Sequence, residues 1–116
     1  KSRGYKYVGS DDVDSVAWYG VNSEQKTHSI AGKKPNELGI YDMSGNVWEW
    51  CQDWHEPYTA EVKENPQGAK EGEKPVIRGG CWHHNPKQCT PTYRYSYYNR
   101  TGSGSSTGFR IVLDIK

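Results

Sequence analysis

Residues 38–54, LGIYDMSGNVWEWCQDW, decide the fold. Three tryptophans (Trp48, Trp50 and Trp54) fall within seven positions, interleaved with Glu49, Cys51 and Asp53 and preceded by Gly45-Asn46. Period-two alternation from Val47 to Cys51 sends Val47, Glu49 and Cys51 to one side and Trp48 and Trp50 to the other. Each indole N–H needs a partner once it leaves water, so a run this dense is a committed core element. A carboxylate inside that element, Glu49, has to be ion-paired or bound to a metal.

The rest of the chain fits a small, irregular domain. Its 116 residues suffice for one domain, 1–116, and no more. Only 33% of them are hydrophobic while 13% are aromatic, so the core is expected to rest on a few large rings. Thirteen glycines and nine tyrosines against a single phenylalanine point to turns and irregular backbone. Fifteen basic residues balance fourteen acidic ones, which gives no case for a nucleic-acid partner. No stretch approaches the roughly 18 apolar residues of a membrane span, and no signal peptide is visible. Three cysteines leave at least one unpaired, and the absence of C-x-x-C spacing argues against a zinc knuckle.

Short antiparallel strands are predicted at 38–42 and 46–54, around a turn at Ser44-Gly45-Asn46, and again at 76–82 and 108–115. Residues 1–16, with Asp11, Asp12 and Asp14, read as a solvated loop, and the Pro- and Glu-rich stretch 55–75 reads as a surface excursion. No helix longer than two turns is expected. Trp48, Trp50, Trp82 and Phe109 are expected to be buried.

Two further blocks, Val76-Ile77-Arg78-Gly79-Gly80-Cys81-Trp82 and Gly108-Phe109-Arg110-Ile111-Val112, follow the first in order. The series GxYDMSGNVWEW, VxRGGxW, GFRIV resembles the formylglycine-generating enzyme (sulfatase-modifying factor) family over nearly the whole chain. The resemblance implies an irregular α+β domain, a variant of the C-type lectin fold. It also implies a further N-terminal portion, so the chain reads as the C-terminal part of such a domain, with the remainder on a companion chain or cut away.

The turn from Asp42 to Glu49 offers carboxylates at its ends and carbonyls between them, the donor type calcium requires. In catalytic relatives the aligned positions hold a structural calcium ion, which assigns Asp42, Gly45, Val47 and Glu49 as ligands here. The alternative is that Asp42 caps the turn and Glu49 pairs with an arginine such as Arg78 or Arg110.

Catalytic relatives use two cysteines, five residues apart, that bind copper(I) in aerobic members. The second position falls on Cys89 and the first on His84, and a thiolate with an imidazole is a poorer match to copper(I) than two thiolates. Cys81 does not restore the spacing, since it lies eight residues from Cys89. The resemblance also implies Cys51 and Cys89 as disulfide partners. Adjacent residues on a strand face opposite ways, so His83-His84 reads as polar surface rather than a chelating pair, the alternative being a loop in which the two could converge.

The segment 82–101, WHHNPKQCTPTYRYSYYNRT, mixes Tyr, His, Asn, Ser and Thr as paratopes do. His83, His84, Asn85, Tyr93, Tyr95, Tyr97, Tyr98 and Asn99 are the candidate ligand-binding residues, the alternative being a merely polar family loop. Variable proteins of diversity-generating retroelements place their diversified residues in this region of the same fold. The expected function is a non-catalytic recognition module for a protein or peptide, in a setting for which secreted or cell-surface is favoured over the alternatives. The competing reading is an oxidase that converts a sulfatase cysteine to formylglycine through Cys89. A sulfoxide-synthase-like half is a third, whose iron ligands would lie outside this chain.

Overall fold

The computed structural model describes residues 3–57, 59–61, 66–96 and 104–115. It is an irregular α+β arrangement in which short strands pair at long range. A single helical turn, α1 (Val13–Val16), is capped by the Asp12 side chain, which accepts the Asp14 N–H at 3.2 Å. The chain then enters β1 (Ala17–Trp18), parallel to β2 (Ser44–Gly45). This approach requires a glycine at position 45, where φ is +75° and a Cβ would lie 2.8 Å from the Trp18 backbone nitrogen. Only a residue without a side chain allows two backbones so close.

The main sheet has the order β5-β4-β3-β6. Its centre is β3 (Trp48–Trp54), antiparallel to β4 (Pro75–Arg78), with Glu49 opposite Arg78 and Trp50 opposite Ile77. The register breaks between Trp50 and Trp54. β5 (Arg94–Ser96) flanks β4, and β6 (Thr107–Gly108) runs parallel to β3. Val76 and Ile77 are buried on β4, as expected of an inner strand.

Among the described residues two small clusters form the core. Tyr7, Val16, Tyr19 and Cys89 make one; Trp48, Ile77 and Cys81 make the other, with Trp50 and Tyr93 against it. Trp18 instead stacks on His28 with ring centroids 3.7 Å apart, and the Lys33 ammonium lies 4.1 Å over its ring. Large rings thus do the work that aliphatics do elsewhere.

Several expectations need correction. Residues 38–42 form no strand. β4 ends at Arg78, four residues early, because Gly79 and Gly80 adopt φ of +99° and +78° and turn the chain. The C-terminal block pairs only at 107–108. Past Gly108 the chain leaves the sheet, Phe109 is 75% exposed, and Ile111, Val112, Leu113 and Ile115 are exposed as well. Trp48 is buried as expected, while Trp50 and Trp82 are half-buried. The Cys51–Cys89 disulfide is absent: all three thiols are free, Cys89 lying inside the Tyr7–Val16–Tyr19 cluster and Cys51 half-buried on β3. No helix among the described residues is long and apolar enough to cross a membrane.

Candidate functional site

The Gly79-Gly80 turn delivers the chain into a tightly anchored loop. Trp82 N–H donates to the Asn46 carbonyl (2.9 Å), and Ser23 Oγ–H donates to the Trp82 carbonyl (2.6 Å). Gly20 N–H donates to the His84 carbonyl (2.8 Å), and His84 N–H closes the turn on the Cys81 carbonyl (3.3 Å). Three of these anchors come from distant parts of the chain. They make residues 81–84 a fixed turn instead of a strand.

That turn gathers Cys81, His83 and His84, one ligating atom from each lying within 4.8 Å of the others. Cys81 Sγ is 3.3 Å from His83 Nδ1, and the two imidazole centroids are 4.3 Å apart. Trp48 Nε1–H donates to His84 Nδ1 at 3.0 Å. Burial pushes the Cys81 thiol above its usual range, opposed in part by the nearby His83 and His84 backbone N–H groups and the Trp48 indole. Burial, then the neighbouring His83, lowers the His84 pKa. The two imidazoles do not diverge as on a strand, because strand alternation does not extend past Arg78; the pair lies in a loop, where the two rings approach each other.

Cys89 closes the 3₁₀ turn Pro86–Cys89, which Gln88 secures by accepting the Asn85 N–H at 3.1 Å. Its side chain is fully buried. Burial, then the nearby Cys81, pushes its pKa up to about 12. Gly80 makes this packing possible, since a Cβ there would lie 2.7 Å from the Cys89 sulfur.

Asp42, Gly45, Val47 and Glu49 line one cleft of about 380 Å³ together with Arg110. Arg110 engages both Glu49 oxygens, with Nη2 2.6 Å from Oε1 and Nε 3.0 Å from Oε2. Its remaining donors reach the Tyr41 and Asp42 carbonyls, both at 3.1 Å. Asp42 Oδ2 accepts the Ala31 N–H at 2.8 Å. The Glu49–arginine pair is therefore the arrangement present.

Of the candidate ligand-binding residues, His84, Tyr93 and Tyr95 surround Trp48, with centroids 5.3, 6.1 and 5.7 Å from it. His83, Asn85 and Tyr95 are exposed. Tyr97, Tyr98 and Asn99 lie outside the described residues. Cys81 is the participant the sequence reading left out; the Cys-x-His-His spacing after Gly-Gly was its signal.

A Trp-centred sheet, a parallel β1–β2 contact and an anchored Gly-Gly turn define a small irregular scaffold whose loops carry its chemistry. A model of the sulfatase-modifying factor enzyme 1-like domain matches residues 2–115, and the chain belongs to that family. It is similar to the chaperone protein LppX of Paenibacillus barcinonensis, 33% identical over 97% of this chain and 42% of that protein. It is 34% identical to the formylglycine-generating enzyme of Mus musculus over 82% of this chain and 26% of the enzyme. Among solved structures, Treponema denticola variable protein 1 superposes with a TM-score of 0.84 at 34% identity, covering 90% of this chain and 39% of that one. The chain spans less than half the length of these proteins.

Proposed function

We propose that this domain is a non-catalytic recognition module that presents residues 83–101 to a protein or peptide. One observation carries the reading. The thiol at the retained catalytic position, Cys89, is fully buried and held protonated, and the other position is His84. A nucleophilic cysteine has to be reachable and readily ionised, and Cys89 is neither. The exposed His83 and Asn85, with Tyr95 stacked on Trp48, supply the rigid rings and adaptable polar groups suited to recognition. Kinship with a protein named as a variable protein supports placing the adaptable face here.

The experiment is native-state alkylation mapped by mass spectrometry. Cys51 is expected to label first and Cys89 only on unfolding. Labelling of Cys89 in the folded protein at the rate of a free thiol would favour the oxidase reading, which the formylglycine-generating relatives keep in view.

Calcium in the 42–49 cleft belongs to the same proposal, as an exchange. The ion would take the Asp42 and Glu49 carboxylates with the Gly45 and Val47 carbonyls, and Arg110 would release Glu49. Because such an ion binds only the folded state, excess chelator would then lower the melting temperature. An unchanged melting curve leaves Arg110 as the sole cation of the cleft.

A further inference from the structure

We infer that Cys81, His83 and His84 form a binding site for one zinc ion, separate from the calcium cleft and from the cysteine position at residue 89. The donor set is one thiol and two imidazoles, a mixture that zinc accepts because it has no geometric preference of its own. Copper(I) would call instead for paired thiolates.

Bond lengths of about 2.3 Å to sulfur and about 2.0 Å to nitrogen place tetrahedral donors about 3.3–3.6 Å apart. Cys81 Sγ and His83 Nδ1 already stand at 3.3 Å, and all three donors lie within 4.8 Å. Closing the set asks the wider donor pairs, now within 4.8 Å, to shorten by at most about 1.5 Å. The backbone is fixed by Asn46, Ser23 and Gly20, so the chain has met the ordering cost before the ion arrives.

Burial disfavours the free thiolate, and the zinc ion itself supplies the positive charge that offsets this. Opposing that burial are the nearby His83 and His84 backbone N–H groups and the Trp48 indole. On binding, the Cys81 S–H bond breaks, its proton leaves to solvent and a zinc–sulfur bond forms. Each imidazole contributes a lone pair. His84 exchanges the indole hydrogen now at Nδ1 for the metal, and the freed indole N–H turns to the thiolate sulfur. Such a donor to a ligating atom is the outer contact that fixes metal ligands elsewhere. His83 is exposed and covers the sulfur, so it forms the entry, and three protein ligands leave the fourth position to water.

Zinc chloride titrated into the whole chain, with a non-thiol reductant and a competing chromophoric chelator, is expected to show one ion per chain. Cobalt(II) in its place is expected to give a thiolate charge-transfer band in the near ultraviolet. Cys81→Ser should abolish that band. His83→Ala, at an exposed position, should weaken zinc binding by at least about tenfold, no less than the loss of an outer-shell partner. Cys51→Ser should leave both readouts unchanged. Absence of one-to-one binding, persistence of full affinity in His83→Ala, or loss of binding in Cys51→Ser overturns the proposal. If Cys81→Ser does not fold, His83→Ala decides by itself.

Discussion

The indole N–H of Trp48 donates to Nδ1 of His84 across 3.0 Å, joining the central strand to the turn that follows Gly79-Gly80. Trp48 is 2% exposed, so its N–H has no recourse to water if this bond is lost. His84→Ala is expected to cost about 1–3 kcal/mol of stability for the orphaned donor. His84→Asn, which can place an acceptor nearby, should recover part of it. Equilibrium urea unfolding of the two variants measures the difference.

Gly80→Ala tests how Cys89 is packed. At φ +78° alanine is strained by roughly 1–2 kcal/mol, before any contact is counted. Its Cβ would also meet the Cys89 sulfur at 2.7 Å, an overpacking cost of about 1–3 kcal/mol. Combining it with Cys89→Ala removes the second cost and leaves the first, so the double mutant should cost less than the sum of the two singles. Additive effects would mean that the thiol lies elsewhere.

The buried thiol also predicts a pH dependence. The folded Cys89 pKa is pushed from 9.0 to about 12, so the unfolded chain gives up this proton first. Its contribution is complete below the unfolded pKa and is lost as pH rises through the folded value, between about pH 9 and 12. Tyr19, buried and bonded to Asp14, is raised from 10.0 to about 12 and acts in the same direction. Unfolding free energy should therefore decline over that window, with a shallower slope in Cys89→Ala and a shallower one again with Tyr19→Phe.

Glu49→Gln removes the charge that holds Arg110. The pair is partly exposed, 36% on the arginine side and 22% on the glutamate side. Its loss is expected to cost no more than about 1 kcal/mol, less at high salt. The larger effect should be local: hydrogen exchange at 109–111 should rise, since Arg110 ties the departing chain to the Tyr41 and Asp42 carbonyls.

What the sequence made legible were features whose chemistry is local. The tryptophan run at 48–54 announced the central strand, and Val76-Ile77 its neighbour, because apolar and aromatic density reports burial directly. Phe109 to Ile115 carry the same signal and are exposed, since hydropathy names what is apolar and not what pairs with it. The Cys81–His83–His84 cluster was hidden for a different reason. Its shape depends on Gly20, Ser23 and Asn46, up to 64 residues away (Gly20 to His84), and on where two positive-φ glycines stop a strand. The Glu49 partner was legible as a choice between a metal and an arginine, and the geometry places Arg110 there.

Conversion of a cysteine peptide bearing the sulfatase-type CxPxR sequence tests the central claim most directly. The chain, loaded with copper under reducing conditions, would be incubated with the peptide and the cysteine read by mass spectrometry, alongside His84→Cys, which restores the paired thiols. With Cys89 buried and His84 engaged by Trp48, the expected result is an unmodified cysteine with the natural chain. Appearance of the aldehyde product with that chain would show that one thiolate suffices and would contradict the recognition reading.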